Sequence, residues 1–295
     1  MAHSPLIRVV GEVMVDVLAH TSTAPAPGSD APASISDEEG GSGANVAAWL
    51  ADLQVPVELV ARVGDDSRGA TALAVLDAAG VTVRAARDPE RATGRCVVIV
   101  TPDGERTMFP DPGANARLAV SDLDGLSWRA GDHLHVSGYS LLREGSRDAA
   151  LTALERARAT ALSVSIDASS EALLLALEPE TFLSWLAPGD LLLANADEAS
   201  ALTGHSNPLD ALRALTDRGL LVVVKRGADG AVVGSGDQRW SAPAVPAENR
   251  DTTGAGDAFA AGFLASWTRG ADIEEALRLA TRTAARAVSL QGGRP

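Results

Sequence analysis

The residues best suited to chemistry are Asp251-Thr252-Thr253-Gly254-Ala255-Gly256-Asp257, which run straight into Ala258-Phe259-Ala260-Ala261-Gly262-Phe263. A polar loop here turns through a Gly-Ala-Gly step into small and apolar residues, a pattern that predicts a helix from about Ala255 to Thr268. With almost no side chain to cover them, the amides of Gly254, Ala255 and Gly256 would stand at a helix N-terminus. Unpaired N–H groups and the helix dipole favour an anion there. Asp257, in the first turn, is then either a charge that caps the helix or a base held beside a bound phosphate. As an unperturbed aspartate, with a pKa near ~3.9, it would be ionised at neutral pH.

A second glycine-rich turn, Gly40-Gly41-Ser42-Gly43-Ala44-Asn45-Val46-Ala47, opens an alanine-rich helix expected to end near Asp52. It has no Gly-Lys-Ser/Thr, and Val46 occupies the sixth position of a would-be G-x-G-x-x-G. P-loop and dinucleotide readings therefore fail, and a dehydrogenase reading fails with them. Gly41 lets backbone approach a ligand, and Asn45 offers both a donor and an acceptor, which suits sugar hydroxyls or a plain helix cap. Asp16 alternates with Val13, Val15 and Val17 along a strand, so it faces either solvent or a ligand. Asn195 and Glu198 follow the apolar Leu191-Leu192-Leu193, at a strand end where ligands gather, yet Asn as N-cap with Glu at N3 fits equally. Lys225 closes another strand and is either a phosphate contact or a solvated cation. His133 and His135 have metal-ligand spacing, but with no third ligand in view a structural role is expected.

The elements that must position these groups alternate. Leu6 to Val10 and Val57 to Val63 read as strands, Arg68 to Ala79 as a helix, and Val81 to Ala85 as the next strand. Strands at Leu134 to Val136, Ser163 to Ile166, Leu191 to Leu193 and Leu221 to Val224 follow, with a last helix over Ile273 to Leu290. The β–α alternation predicts an α/β fold with a doubly wound, mostly parallel sheet flanked by helices. Cys96 to Val100 and Arg106 to Phe109 flank Pro102-Asp103-Gly104, a hairpin signal. That hairpin and the Pro- and Ser-rich segment up to Ser36 suggest a small β lid built from parts of 13–36 and 90–110, appended to one domain spanning 1–295.

The 295 residues carry 25 Lys and Arg against 39 Asp and Glu, a net charge of −14. Nucleic-acid surfaces are basic, so no nucleic-acid partner is expected. An acidic chain that binds phosphate must draw local positive field from amides, a metal or a few cations. Cys96 is the sole cysteine, which excludes an intrachain disulfide and fits a reducing, cytoplasmic setting. No apolar run reaches the roughly eighteen residues of a membrane span, and no signal-peptide layout is seen.

The whole stretch DTTGAGDAFAAGF resembles the C-terminal signature of the ribokinase-like, or PfkB, carbohydrate kinases. Gly40-Gly41-x-x-x-Asn45-x-Ala47, Gly64-Asp65-Asp66-x-x-Gly69, Asn195-x-x-Glu198 and Gly227-x-x-Gly230 match further motifs of that family, in order and over nearly the whole chain. The resemblance implies transfer of the γ-phosphoryl group of ATP to a hydroxyl of a small sugar or sugar derivative. Asp257 would be the base, and the amides of Gly254, Ala255 and Gly256 the anion hole. Asp16, Gly41 and Asn45 would bind the acceptor. Asn195 and Glu198 would organise Mg2+ through water, while Lys225, Gly227 and Gly230 border the nucleotide. Family members often need a monovalent cation, here K+ near Asp251, and a homodimer through the lid is a further expectation. Two departures stand out. Thr281 occupies the place of an asparagine near the adenine, and Ser137-Gly138-Tyr139 lacks the acidic residue that ribokinase carries there, which weakens ribose in particular. Pro112-Gly113-Ala114-Asn115 resembles the ribokinase and nucleoside-kinase branch. Gly11-Glu12 and Gly104-Glu105-Arg106 resemble 2-keto-3-deoxygluconate-type sugar-acid kinases. A catalytically inactive sugar-binding regulator on the same fold is a different class, against which the intact Gly254-Ala255-Gly256-Asp257 argues.

Overall fold

The computed structural model describes residues 5–103, 105–248 and 250–295. Thirteen strands run through the described residues: β1 (Ile7–Val10), β2 (Met14–Thr21), β3 (Ala33–Gly40), β4 (Val57–Gly64), β5 (Thr82–Asp88), β6 (Gly94–Val100) and β7 (Arg106–Asp111). After these come β8 (His133–Ser137), β9 (Ser163–Asp167), β10 (Leu191–Asn195), β11 (Leu221–Lys225), β12 (Ala231–Ser235) and β13 (Gln238–Ala242). Nine of them form one sheet in the order β13-β12-β11-β10-β9-β8-β1-β4-β5. The seven strands from β11 to β5 are parallel, while β12 and β13 add an antiparallel edge.

Period-two alternation explains why these strands are apolar throughout: the sheet is buried on both faces. Ile7, Val9, Leu59 and Leu193 point into one core, shared with the Ser42–Asp52, Ala255–Trp267 and Ile273–Val288 helices. Val10, Val60, Leu192 and Val224 point into the other, packed on helices that include Glu144–Ala159. The expected doubly wound architecture holds. The β12–β13 hairpin is an addition the sequence reading did not include.

The remaining strands make a second sheet, ordered β3-β2-β6-β7. Its outer pairs are antiparallel and its central β2–β6 pair is parallel. This is the expected lid, although β3 runs on to Gly40, which delivers the chain directly to the second glycine-rich turn. Met14, Leu18, Cys96 and Val98 form a small core on its inner face. Its outer face leaves Ile35 68%, Val97 42% and Phe109 56% exposed. Asn115 holds the entry to β2, since its Oδ1 accepts from the amide of Val13 and its Nδ2 donates to the carbonyl of Val13, at 3.0 and 2.9 Å. The Pro102-Asp103-Gly104 turn joins two antiparallel strands; its Gly104, like Asn249 before the C-terminal glycine loop, lies outside the described residues.

His133 and His135 are fully buried between β8 and β9, held by Ser163 and Ser165 at 2.7 to 2.8 Å. Through these hydrogen bonds the two rings tie β8 to β9, and no group of three potential metal ligands occurs among the described residues. Burial holds both rings neutral, pushing His133 down to about 3 and His135 to about 4. An unfolded histidine takes up a proton near ~6.5, so below that pH the unfolded chain binds more protons. Each ring therefore contributes stability that is complete above ~6.5 and is lost toward the folded value, by about 1.4 kcal/mol per pH unit. Raised carboxyl groups elsewhere act in the opposite sense, so the informative quantity is a difference. Denaturation midpoints at pH 7 and pH 5 should fall less in His133→Gln than in the parent, and equal falls would contradict this account.

Candidate active site

The carboxyl ends of β1, β8, β9, β10 and β11 point the same way. Order along the sheet reverses between β1 and β8, where the chain turns off to opposite sides, and ligands collect at such a switch point. A cavity of about 780 Å³ opens there between the strand ends and the inner face of the lid. A second, of about 510 Å³, lies beside it against the last two helices. Lys225, Gly227, Thr252 and Gly256 line both, so the C-terminal glycine loop stands at the joint between the two cavities.

Two helix starts meet at the larger cavity. Gly41 caps the Ser42–Asp52 helix with φ +94°, and a Cβ there would meet the carbonyl oxygen of Glu12 at 2.5 Å. Gly254 caps the Ala255–Trp267 helix in the left-handed region, and a Cβ would press into Gly293 at 2.6 Å. Glycine is required at both by conformation and by space. The first helix presents Ser42 and Asn45, three residues apart and hence on one face, to Asp257 of the second. Ser42 Oγ donates to Asp257 Oδ1 at 2.8 Å, and Asn45 Nδ2 donates to Oδ2 at 2.9 Å. Asn45 Oδ1 in turn accepts from Arg294 Nε at 3.1 Å, which fixes the direction of the amide.

The expectation of an ordinary Asp257 is overturned. Burial pushes its carboxyl up to about 7, and the charge of Asp167 adds to this against the hydrogen bonds from Asn45 and Ser42. Asp16 projects from the inner face of β2 with Met14 and Leu18 and lines the same cavity. Burial raises it to about 6, against the pull of Arg294. No described residue donates a hydrogen bond to its carboxylate, which leaves its lone pairs for a ligand. Arg294 is itself largely covered; it also donates to the carbonyl of Gly40 at 2.8 Å and lies 3.5 Å from Glu39.

Asn195 and Glu198 form a reciprocal cap: Glu198 N donates to Asn195 Oδ1 at 2.8 Å, and Asn195 N donates to Glu198 Oε2 at 2.7 Å. Both side chains also line the larger cavity, so the cap and an outward-facing carboxyl coexist. Burial lifts Glu198 to about 7, although Lys225 pulls the other way. Lys225 is not a solvated cation. It is largely buried, with 15% of its side chain exposed, its Nζ donates to Asp167 Oδ2 at 2.9 Å, and the attraction of Asp167 and Glu198 outweighs desolvation and keeps it protonated. Gly227 lines the joint. Gly230 lines only the smaller cavity, where φ +79° and the carbonyl of Ala242 leave no room for a side chain.

Asp251 departs most from its expected place as a cation ligand. Its Oδ1 accepts from Arg106 Nη2 at 2.6 Å and from Thr253 N at 2.7 Å, and its Oδ2 from Gly292 N at 3.1 Å. These bonds override burial and hold its carboxyl down to about 2. The carboxylate is an anchor joining lid, glycine loop and residue 292. Thr281 lines the smaller cavity, but its hydroxyl is turned back onto the carbonyl of Leu277 at 3.1 Å, so the contact doubted from the sequence is not offered by that side chain.

The sequence reading missed Ser42, Asp167, Arg106 and Arg294. Asp167 carried a usable signal, since it ends an apolar strand as Asn195 and Lys225 do. Ser42 lies three residues before Asn45 on a predicted helix, which also could have found it. Arg106 stood out only within the Gly104-Glu105-Arg106 motif, with nothing to point to its partner 145 residues away, and Arg294 had no signal, its partner lying 249 residues away.

The family model for pfkB family carbohydrate kinases matches residues 4–295. An ATP-dependent ribose-1-phosphate kinase of Halopiger xanaduensis is 34% identical over 272 residues, covering 91% of this chain and 87% of that protein. Among solved structures, a probable sugar kinase from Rhizobium etli superposes with a TM-score of 0.87 at 26% identity, covering 99% of this chain and 95% of the other. A fructokinase double mutant from Vibrio cholerae, bound to fructose, ADP and potassium ion, gives 0.82 at 26% identity over 98% and 94% of the two chains.

Proposed function

Because the chain belongs to the pfkB family of carbohydrate kinases, phosphotransferases with a hydroxyl group as acceptor, we propose that it transfers the γ-phosphoryl group of ATP to a small sugar or sugar derivative, with Asp257 as base. The observation that carries this reading is the seam between the cavities. The bare turn of Gly254, Ala255 and Gly256 borders both, and Asp257 reaches from it to the helix that bears Ser42 and Asn45.

In this reading the acceptor lies in the larger cavity against Asp16, Gly41 and Asn45, and the nucleotide in the smaller one. The acceptor oxygen attacks the γ-phosphorus as the bond to the β–γ bridging oxygen breaks. Asp257 takes the hydroxyl proton, and ADP leaves. Charge developing on the transferred oxygens meets the amides of Gly254, Ala255 and Gly256, which need no reorganisation. Lys225, kept charged by Asp167, adds field at the joint. Asn195 and Glu198 would hold Mg2+ through water, as a hard cation that keeps much of its shell prefers. Glu198 Oε1 stays outside the cap and suits that use, and the ion when bound would neutralise phosphate charge.

A base works in its ionised form. With Asp257 near 7, kcat/KM should fall about tenfold per pH unit below neutrality. A flat profile down to pH 5 would argue for a different base. The decisive test is ADP release from ATP over a panel of neutral sugars, sugar phosphates, sugar acids and nucleosides. Absence of turnover with every acceptor that binds would favour an inactive sugar-binding protein instead. Running the screen in potassium and in tetramethylammonium tests a monovalent cation. We place that ion on the backbone of the Asp251-Thr252 loop, because the Asp251 carboxylate is committed to Arg106.

A second copy of the chain is the proposed cover for the outer lid face, where Ile35, Val97 and Phe109 lie open. Sedimentation should show a dimer that Phe109→Glu dissociates, and a monomeric parent protein would exclude it.

A further inference from the structure

Four cationic side chains approach the larger cavity, and three of them are already engaged. Arg106 is paired with Asp251, Lys225 with Asp167, and Arg294 with Asn45 and Glu39. Arg143 is different. It follows the short helix Gly138–Leu142 and lines the larger cavity beside Tyr139, with its guanidinium carbon 5.4 Å from that ring's centroid. Among the described residues no carboxylate lies within ion-pair distance of it, and its Nη1 is buried without a hydrogen-bond partner. Glu12, on the same wall, accepts at Oε1 from Ser137 Oγ at 3.1 Å and from Gly43 N at 3.4 Å, while its Oε2, like Arg143 Nη1, is buried with no hydrogen-bond partner among the described residues. Burial raises the Glu12 carboxyl, against the pull of the Arg143 charge, but the two make no ion pair.

A buried donor with no partner is costly, and native sites seldom keep one unless a ligand supplies the acceptor. A neutral hydroxyl would satisfy the hydrogen bond and leave the charge unmatched. A phosphate or carboxylate satisfies both, and the planar fork of arginine fits either in two parallel bonds. The nucleotide is not the source of this anion, because Arg143 does not line the smaller cavity. The lid side of the larger cavity carries Asp16, Glu38 and Glu39, which would repel an anionic group and suit hydroxyls. The cavity thus has one end for hydroxyls and one for charge.

We propose that Arg143, seated against Tyr139, binds an anionic substituent of the phosphoryl acceptor, so that a sugar phosphate or sugar acid is preferred to the neutral sugar. This rests on the larger cavity being the acceptor site, but not on Asp257 being the base. The test is calorimetric binding without nucleotide of ribose, ribose 1-phosphate and gluconate, to the parent and to Arg143→Gln. The anionic ligand should bind about 10- to 100-fold more tightly than ribose, the range of a charge-assisted contact, and Arg143→Gln should abolish that ratio. Preference for ribose 1-phosphate identifies a phosphate substituent, and preference for gluconate a carboxylate. Equal binding of all three by the parent, or an unaltered ratio in the variant, overturns the proposal. Arg143→Met, which keeps the stem against Tyr139, repeats the test should the glutamine variant fail to fold. Asp257→Asn should keep the preference, so failure of the base assignment would be visible separately as retained turnover.

Discussion

An Asp257→Asn enzyme is expected to lose about 10²- to 10⁴-fold in kcat, the usual worth of general-base assistance, while folding as the parent does. The amide is the same size as the carboxyl, and its hydrogen bonds can be kept. Its oxygen would face Asn45 Nδ2, which Arg294 fixes as a donor, and its NH2 would face Ser42 Oγ, which can accept as well as donate. What disappears is the proton acceptor. The acid limb near pH 7 should vanish from the kcat/KM profile along with the rate, a signature that mere disturbance of packing would not give. Turnover within a few-fold of the parent would reject the assignment.

The second large effect is expected at Gly256. Within 4 Å, a Cβ there would meet only Lys225 Nζ, at 3.5 Å, and the residue lies in the first turn of a regular helix. Nothing in the fold demands glycine, in contrast to Gly41 and Gly254. Helical backbone in fact disfavours it, by about 1 kcal/mol against alanine. The open space is therefore best explained by what must enter it. Gly256→Val should keep or raise the melting temperature yet lower kcat by about 10²- to 10³-fold, as loss of an oxyanion contact does. The acceptor KM should move much less. A change confined to KM, or a melting temperature that falls with kcat, would mean that the position serves binding or folding instead.

Much of this was legible in the chain because it is written locally. Short continuous apolar runs marked the parallel strands, and the turn glycines marked both helix starts. The Asp16 alternation correctly separated the cavity face of β2 from the outer face. The β12–β13 hairpin carries a local signal as well, the Gly236-Asp237 pair between Ala231–Ser235 and Gln238–Ala242, which the sequence reading did not use. The chemistry of the site was harder to read, because it depends on groups brought together from afar. Asp251 has the type of a cation ligand, and only the fold brings Arg106 across from the lid to occupy it. Asp257 has the type of an ordinary carboxylate, and only collective burial among Ser42, Asn45 and the second helix raises it. Arg143 stands out for what it lacks, and a missing partner leaves no trace in spacing.

Residues 292–294 close the site from behind: Gly292 N is bonded to Asp251, Gly293 O accepts from Trp49 Nε1 at 3.0 Å, and Arg294 orients Asn45. During synthesis Asn45 leaves the ribosome 249 residues ahead of the Arg294 that orients it. A nascent chain still tethered at that point can shape its sheet but not aim its asparagine. Competence then waits for residues 292–294, so fragments that stop short of them should remain silent even where they are well folded.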